Sequence, residues 1–306
     1  MLRPISVFRS AVVLIVTTAF SVSDSYSQDR LKDNVGVVFK QIYDYRLLSA
    51  DSSISVFETE RPNHPVWSLL RANLVWWQIL SGGIEDDKLK KKFIYYLNES
   101  KDKAKNFLED EDEAAFSLII VNAFRTRFDL LDNNYLTAAT YLNACIDDIS
   151  DSFGREEEYE PFYLTSGLYY YFMQKAHEDY PIMRPYLFFF PDGDKQKGID
   201  FLLKCSSSDD IFLREESTYF LMRIAFDLDK DPKQALGYVG SLLTRYPDNI
   251  IFRLFEIKAL HSLNQEKEIN FSEKSYRASV SGNPELTVSQ KEYFFKLLED
   301  EKKAPK

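Results

Sequence analysis

With 306 residues, 45% of them hydrophobic and 15% aromatic, the chain is too apolar to remain disordered, and its 24 Phe and 19 Tyr require a packed interior. A net charge of −10, from 48 acidic and 38 basic side chains, argues against nucleic acid and anionic membranes as partners, since both need a concentrated basic surface. The one Lys-rich run, Lys88 and Lys90 to Lys92, adjoins Glu85, Asp86 and Asp87 and reads as a solvated helix face.

The first element in chain order is an address. Residues 1–27 have the three zones of an export signal: Arg3 and Arg9, an apolar core from Ala11 to Phe20, and small residues at Ser25 and Ser27. Cleavage is expected between Ser27 and Gln28, with a periplasmic or extracellular destination. The apolar stretch falls short of the roughly 20 residues of a membrane span, and no cysteine follows it to take a lipid. No membrane span is expected after cleavage.

From residue 31 onward the apolar residues recur with helical period. Leu31, Val35, Val38, Phe39 and Ile42 form one stripe, and Val66, Leu69, Leu70, Leu74, Trp77 and Leu80 a second, interrupted by Asn73. Phe116, Ile119, Ile120, Ala123, Phe124 and Phe128 make a third. Tyr219, Met222, Ala225 and Phe226 make a fourth, and Phe252, Phe255, Ala259 and Leu263 a fifth. Turn-rich breaks separate them at 62–65, 81–83, 132–134, 191–194, 230–232 and 247–249. These start and stop signals predict an all-α chain of about 11–13 helices over 28–300, with a disordered tail at 301–306. Cys145 and Cys205 each lie among apolar residues and read as small buried hydrophobes, a disulfide between them being left open.

Between Ser217 and Asn249 the spacing becomes specific. Tyr219, Met222, Arg223 and Phe226 are followed by Ala235, Val239, Leu242 and the closing Pro247. Ala50, Ile54, Phe57 and Pro62 repeat those last four offsets, and Tyr135, Ala138, Leu142 and Cys145 form a weaker copy without the proline. These units resemble tetratricopeptide (TPR) repeats, with Arg223 where a small Gly is usual. The resemblance covers about a third of the chain and implies antiparallel helix pairs stacked as a right-handed solenoid. The alanines at 50, 138 and 235 do not keep the family's roughly 34-residue register, so the repeats are degenerate. The segment from Gly167 to Leu203, with its Tyr180-Pro181 break and Gly193-Asp194 turn, is similar to exported TPR-like proteins of Gram-negative bacteria, a likeness that implies export and fold but no activity.

No catalytic or cofactor constellation emerges. His64, His177 and His261 have no neighbour at metal-ligand or triad spacing, and no phosphate loop or nucleophile elbow is present. Carboxylate runs at 109–113 and 156–160 precede helices, where the dipole favours acids. Asp192-Gly193-Asp194 lacks the later ligands of a calcium loop and reads as a turn with an Asp cap. The aromatic groups are the remaining candidates: Trp76, Tyr170 and Tyr186 are expected to line a concave groove that takes a protein or peptide partner. Glycan handling is the alternative and needs two aromatics and a carboxylate in one deep pocket. A hydrolase needs a buried histidine or carboxylate with a partner in reach. Residues 156–205 depart most from repeat spacing and are where a distinctive site is expected.

Overall fold

The computed structural model describes residues 25–303, with side chains described from Arg30 onward except at Met183 and Tyr186. The apolar core of the expected export signal and residues 304–306 lie outside the described residues. Within them the chain is all-helical, with thirteen α-helices of eleven residues or more and no strand. They are α1 (Ser25–Tyr43), α2 (Leu47–Phe57), α3 (Pro65–Leu80), α4 (Asp87–Lys105), α5 (Glu111–Leu131), α6 (Tyr135–Asp151) and α7 (Phe162–Asp179). Then follow α8 (Lys195–Ser206), α9 (Ile211–Arg223), α10 (Pro232–Arg245), α11 (Ile250–Ser262), α12 (Glu266–Gly282) and α13 (Val288–Lys303). Helix α13 thus extends three residues into the stretch expected as a tail, where Lys302 pairs with Glu273 at 2.6 Å.

The helix starts are set by local chemistry. Asp86, Asp110, Asp194, Asp210, Asp231 and Asn249 each accept hydrogen bonds from N–H groups of the turn that follows, satisfying donors that have no partner within the helix. Pro232 follows its cap, and Pro65 follows His64, whose Nδ1 accepts from the Val66 N–H at 3.3 Å. Most links are short, the exceptions being 152–161 and 180–194, and every consecutive pair from α1 to α13 is in contact. Ala50 and Ala235 are buried within α2 and α10, and Phe57 packs beside Trp67. Tyr219 and Phe226 pack on Phe252 and Phe255 of α11, while Pro62 and Pro247 sit exposed in their turns. A π turn over Ile224–Leu228 widens the end of α9, and Arg223 pairs with Asp227 across it.

The ends of the chain also meet. In an open array each unit touches only its sequence neighbours, yet here α1 packs on α9, with Phe39 edge-on to Phe212 and Tyr43 against Tyr246 and Phe252. Asn249 donates to the Tyr43 carbonyl at 2.6 Å, and Asn283 to that of Tyr45 at 3.2 Å. Glu285 accepts from the Leu48 N–H and the Ser49 hydroxyl, both at 2.7 Å. The reason is bulk: Tyr43, Tyr45 and Trp77 project into the space between the first and last hairpins, where Tyr45 meets Phe294 edge-on. One apolar cluster therefore runs from α1 to α13.

Candidate functional site

Trp76 is 2% exposed, so it is interior and does not line an open groove. Thirteen of the sixteen residues of α3 are buried, which is how both neighbouring indoles, Trp76 and Trp77, leave the solvent. Trp76 packs on Phe93 and Phe124, and the guanidinium of Arg127 lies 4.4 Å from its ring centre. Tyr170 is half-buried and already covered: Phe153 stacks on it at 4.9 Å, and the Lys197 ammonium lies 3.9 Å from its centroid. The side chain of Tyr186 lies outside the described residues. Of the expected groove residues, Trp76 is thus interior and Tyr170 covered, so these two do not form one open surface.

Around Trp76 lies a charged interior that the apolar stripes concealed. On α9, Glu216 accepts a hydrogen bond from the Tyr43 hydroxyl of α1. Burial pushes the Glu216 carboxyl up to about 8, so at neutral pH it is mostly protonated. Glu215 beside it is bonded to Arg245 at 2.8 Å, and Arg223 to Asp227 and to the Tyr219 hydroxyl. The sign in the sequence is a charge on an apolar stripe. Glu216 stands four residues from both Phe212 and Phe220, and Arg127 seven after Ile120 and three after Phe124.

His64 and Glu113 meet the geometric condition set for a hydrolase, since Nε2 lies 3.1 Å from Oε1 and both side chains are buried. Burial holds the pair neutral, pushing His64 down to about 3 and Glu113 up to about 9. Their positions give each a structural role: His64 caps α3, Glu113 lies in the first turn of α5, and Phe107 packs on the imidazole at 4.8 Å. Among the described residues no group of three or more His, Cys, Asp or Glu is gathered for a metal ion. Cys145 and Cys205 are buried and unpaired with each other, and burial pushes both thiols far up.

The surface feature is the arm between α7 and α8. Its base is bolted to α7: the Asp194 N–H donates to the Tyr170 carbonyl at 2.9 Å, the Lys195 N–H to Gln174 at 2.6 Å, and the Tyr169 hydroxyl to the Pro191 carbonyl at 2.7 Å. At the α7–α8 crossing Gly167 faces Gly198; a Cβ on Gly198 would meet the α7 backbone at 2.6 Å, and one on Gly167 would be tight at 3.1 Å. Beyond this base Leu187 tucks inward, while Ile182, Phe188 and Phe189 stand 88%, 82% and 81% exposed. Pro181, Pro185 and Pro191 stiffen the segment, and Arg184 donates to the His177 carbonyl at 3.1 Å. The distinctive stretch of the sequence thus has a structural half, the Gly-Asp turn, and an exposed half, the apolar tip.

No family model matches the chain, and neither a curated protein nor a solved structure is significantly similar to it.

Proposed function

We propose that this chain is an exported, non-enzymatic scaffold of TPR-like helix pairs that binds a protein partner through the arm at 180–190. The observation that carries this is the exposure of Ile182, Phe188 and Phe189 on a bolted base. Fully covering an aliphatic or aromatic side chain of this size is worth about 1.5–3 kcal/mol, and a surface patch of this kind marks a contact site. The concave groove of an open array is a poorer docking place here, because α1 and the aromatic side chains of α1 and α3 occupy the space against α9 to α13. Export rests on the N-terminal zones, which lie mostly outside the described residues.

The test is photocrosslinking in envelope extract with a benzophenone amino acid at Phe189. A single stoichiometric protein adduct, lost when Ile182 and Phe188 are both changed to Ser, is expected. Identical adducts with and without those two side chains, or enrichment by polysaccharide alone, refute the proposal. Glycan handling retains one point in its favour, a hollow lined by Arg30, Asn34, Phe57, Glu60, Arg61 and Trp67. There Trp67 is nearly sealed and Glu60 is held by Arg30 at 2.7 Å, so little ring face is on offer.

A further inference from the structure

Arg127 is the side chain that packing leaves unexplained. It projects from α5 into the interior, is 5% exposed, and still makes no hydrogen bond to any described residue; its Nε is sealed with no acceptor. A guanidinium carries five N–H donors in a planar fork. The contact with Trp76 engages its face and leaves the donor edge free. A buried charge in this condition costs several kcal/mol unless something meets it.

The neighbouring charges do not supply the match. Arg223 is taken by Asp227 and Tyr219, and Glu215 by Arg245 and Arg214. Glu216 faces the same interior but forms no ion pair with Arg127, and its hydrogen bond goes to Tyr43. Burial lowers Arg127 only to about 10, so it remains cationic at neutral pH while Glu216 is mostly neutral. The charge on Arg127 is left without an ion pair. A second orphan lies one turn away on the Trp76 face of α3: Asn73 is buried with both Oδ1 and Nδ2 lacking a partner.

We propose that the interior between α3, α5 and α9 binds a small oxyanion, a carboxylate or a phosphate, whose oxygens accept from the free edge of Arg127. Both anion classes offer paired oxygens that fit the fork. The Trp76 ring lies against the guanidinium, and the Nδ2 of Asn73 provides two further N–H donors. The site does not involve the arm and stands or falls independently of the partner proposal.

The experiment uses the mature chain, equilibrated overnight or refolded from urea with acetate, inorganic phosphate or sulfate, at an ionic strength held constant with chloride. Wild type is expected to show a melting temperature that rises with the logarithm of probe concentration, with a change in Trp emission. Acetate acting alone identifies a carboxylate site, and phosphate or sulfate acting alone a phosphate site. Arg127→Met, similar in length and apolar, should fold at least as well in chloride and lose the probe response by tenfold or more. Arg127→Lys keeps the charge without the fork and should weaken it severalfold, whereas Arg277→Met on the surface should leave it intact. If no probe exceeds chloride in wild type, or if Arg127→Met responds like wild type, the proposal is wrong.

Discussion

Substituting alanine for glycine at two helical positions should move stability in opposite directions. At Gly198 the added Cβ would lie 2.6 Å from the Tyr171 nitrogen and 2.7 Å from the Gly167 carbonyl oxygen. Both are backbone atoms of α7 and cannot rotate away, so α7 and α8 must separate. Overpacking of this kind costs about 3 kcal/mol at the upper end of its usual range. The helix-propensity gain of Ala over Gly returns about 1 kcal/mol, leaving Gly198→Ala less stable by about 2 kcal/mol. At Gly237 on α10 an added Cβ meets nothing within 4 Å. Only the propensity gain operates there, so Gly237→Ala should be more stable by about 0.5–1 kcal/mol. Urea unfolding followed by far-UV circular dichroism reads both, and unchanged slopes would show that the midpoints report stability. A Gly198→Ala protein as stable as wild type would refute the close crossing of α7 and α8, and with it the bolted base of the arm.

Three further outcomes follow from the interior. Stability should fall on both sides of a weakly acidic optimum. His64, pushed down to about 3, binds fewer protons folded than unfolded, so its contribution is present above its ordinary 6.5 and lost as pH falls toward 3. Glu113 and Glu216, pushed up to about 9 and about 8, bind more protons folded, so stability declines as pH rises from their ordinary 4.5 through those values. Glu113→Gln should therefore flatten the decline between pH 5 and 8.5 in denaturant titrations, and a variant with the wild-type slope contradicts the neutral pair. Asn249→Ala removes the α11 cap and leaves the buried Tyr43 carbonyl unmet. It should cost about 2–3 kcal/mol and speed proteolysis within α1, an unaltered cleavage pattern being the contrary result. Trp76→Leu should lower stability by about 3 kcal/mol with no effect on partner capture, and a selective loss of capture would return Trp76 to a binding role.

The apolar periodicity and the Asp, Asn and Pro signals carry the helical class and most helix starts, because a cap acts on the turn beside it and an apolar stripe declares its own face. Asp110, Asp194, Asp231 and Asn249 are local in this sense, and so is the Gly193-Asp194 turn. The arm was half legible: its break at Tyr180-Pro181 is plain in the sequence, but a Phe-Phe-Phe run looks the same whether it is core or tip. Phe190 packs back toward the cluster while Phe188 and Phe189 do not, a choice made by the hydrogen bonds that hold the base.

A stripe says which way a helix faces and nothing about what it will meet. Trp76 has no sequence mark separating it from a groove residue; it is interior because α3 is enclosed, with Phe93 of α4 and Phe124 of α5 packed on its ring, while Tyr43 of α1, which also meets Tyr246 some two hundred residues on, covers the neighbouring Trp77. Arg127 and Glu216 stand on apolar stripes where a charge is out of place, so the sequence alone marks them as exceptions. Arg223 finds Asp227 and Tyr219 four residues to either side of it, a local match, whereas the bond of Glu215 to Arg245 and the isolation of Arg127 are decided only by the meeting of α3, α5, α9 and α10. The energy of a buried charge depends on neighbours that no local pattern specifies.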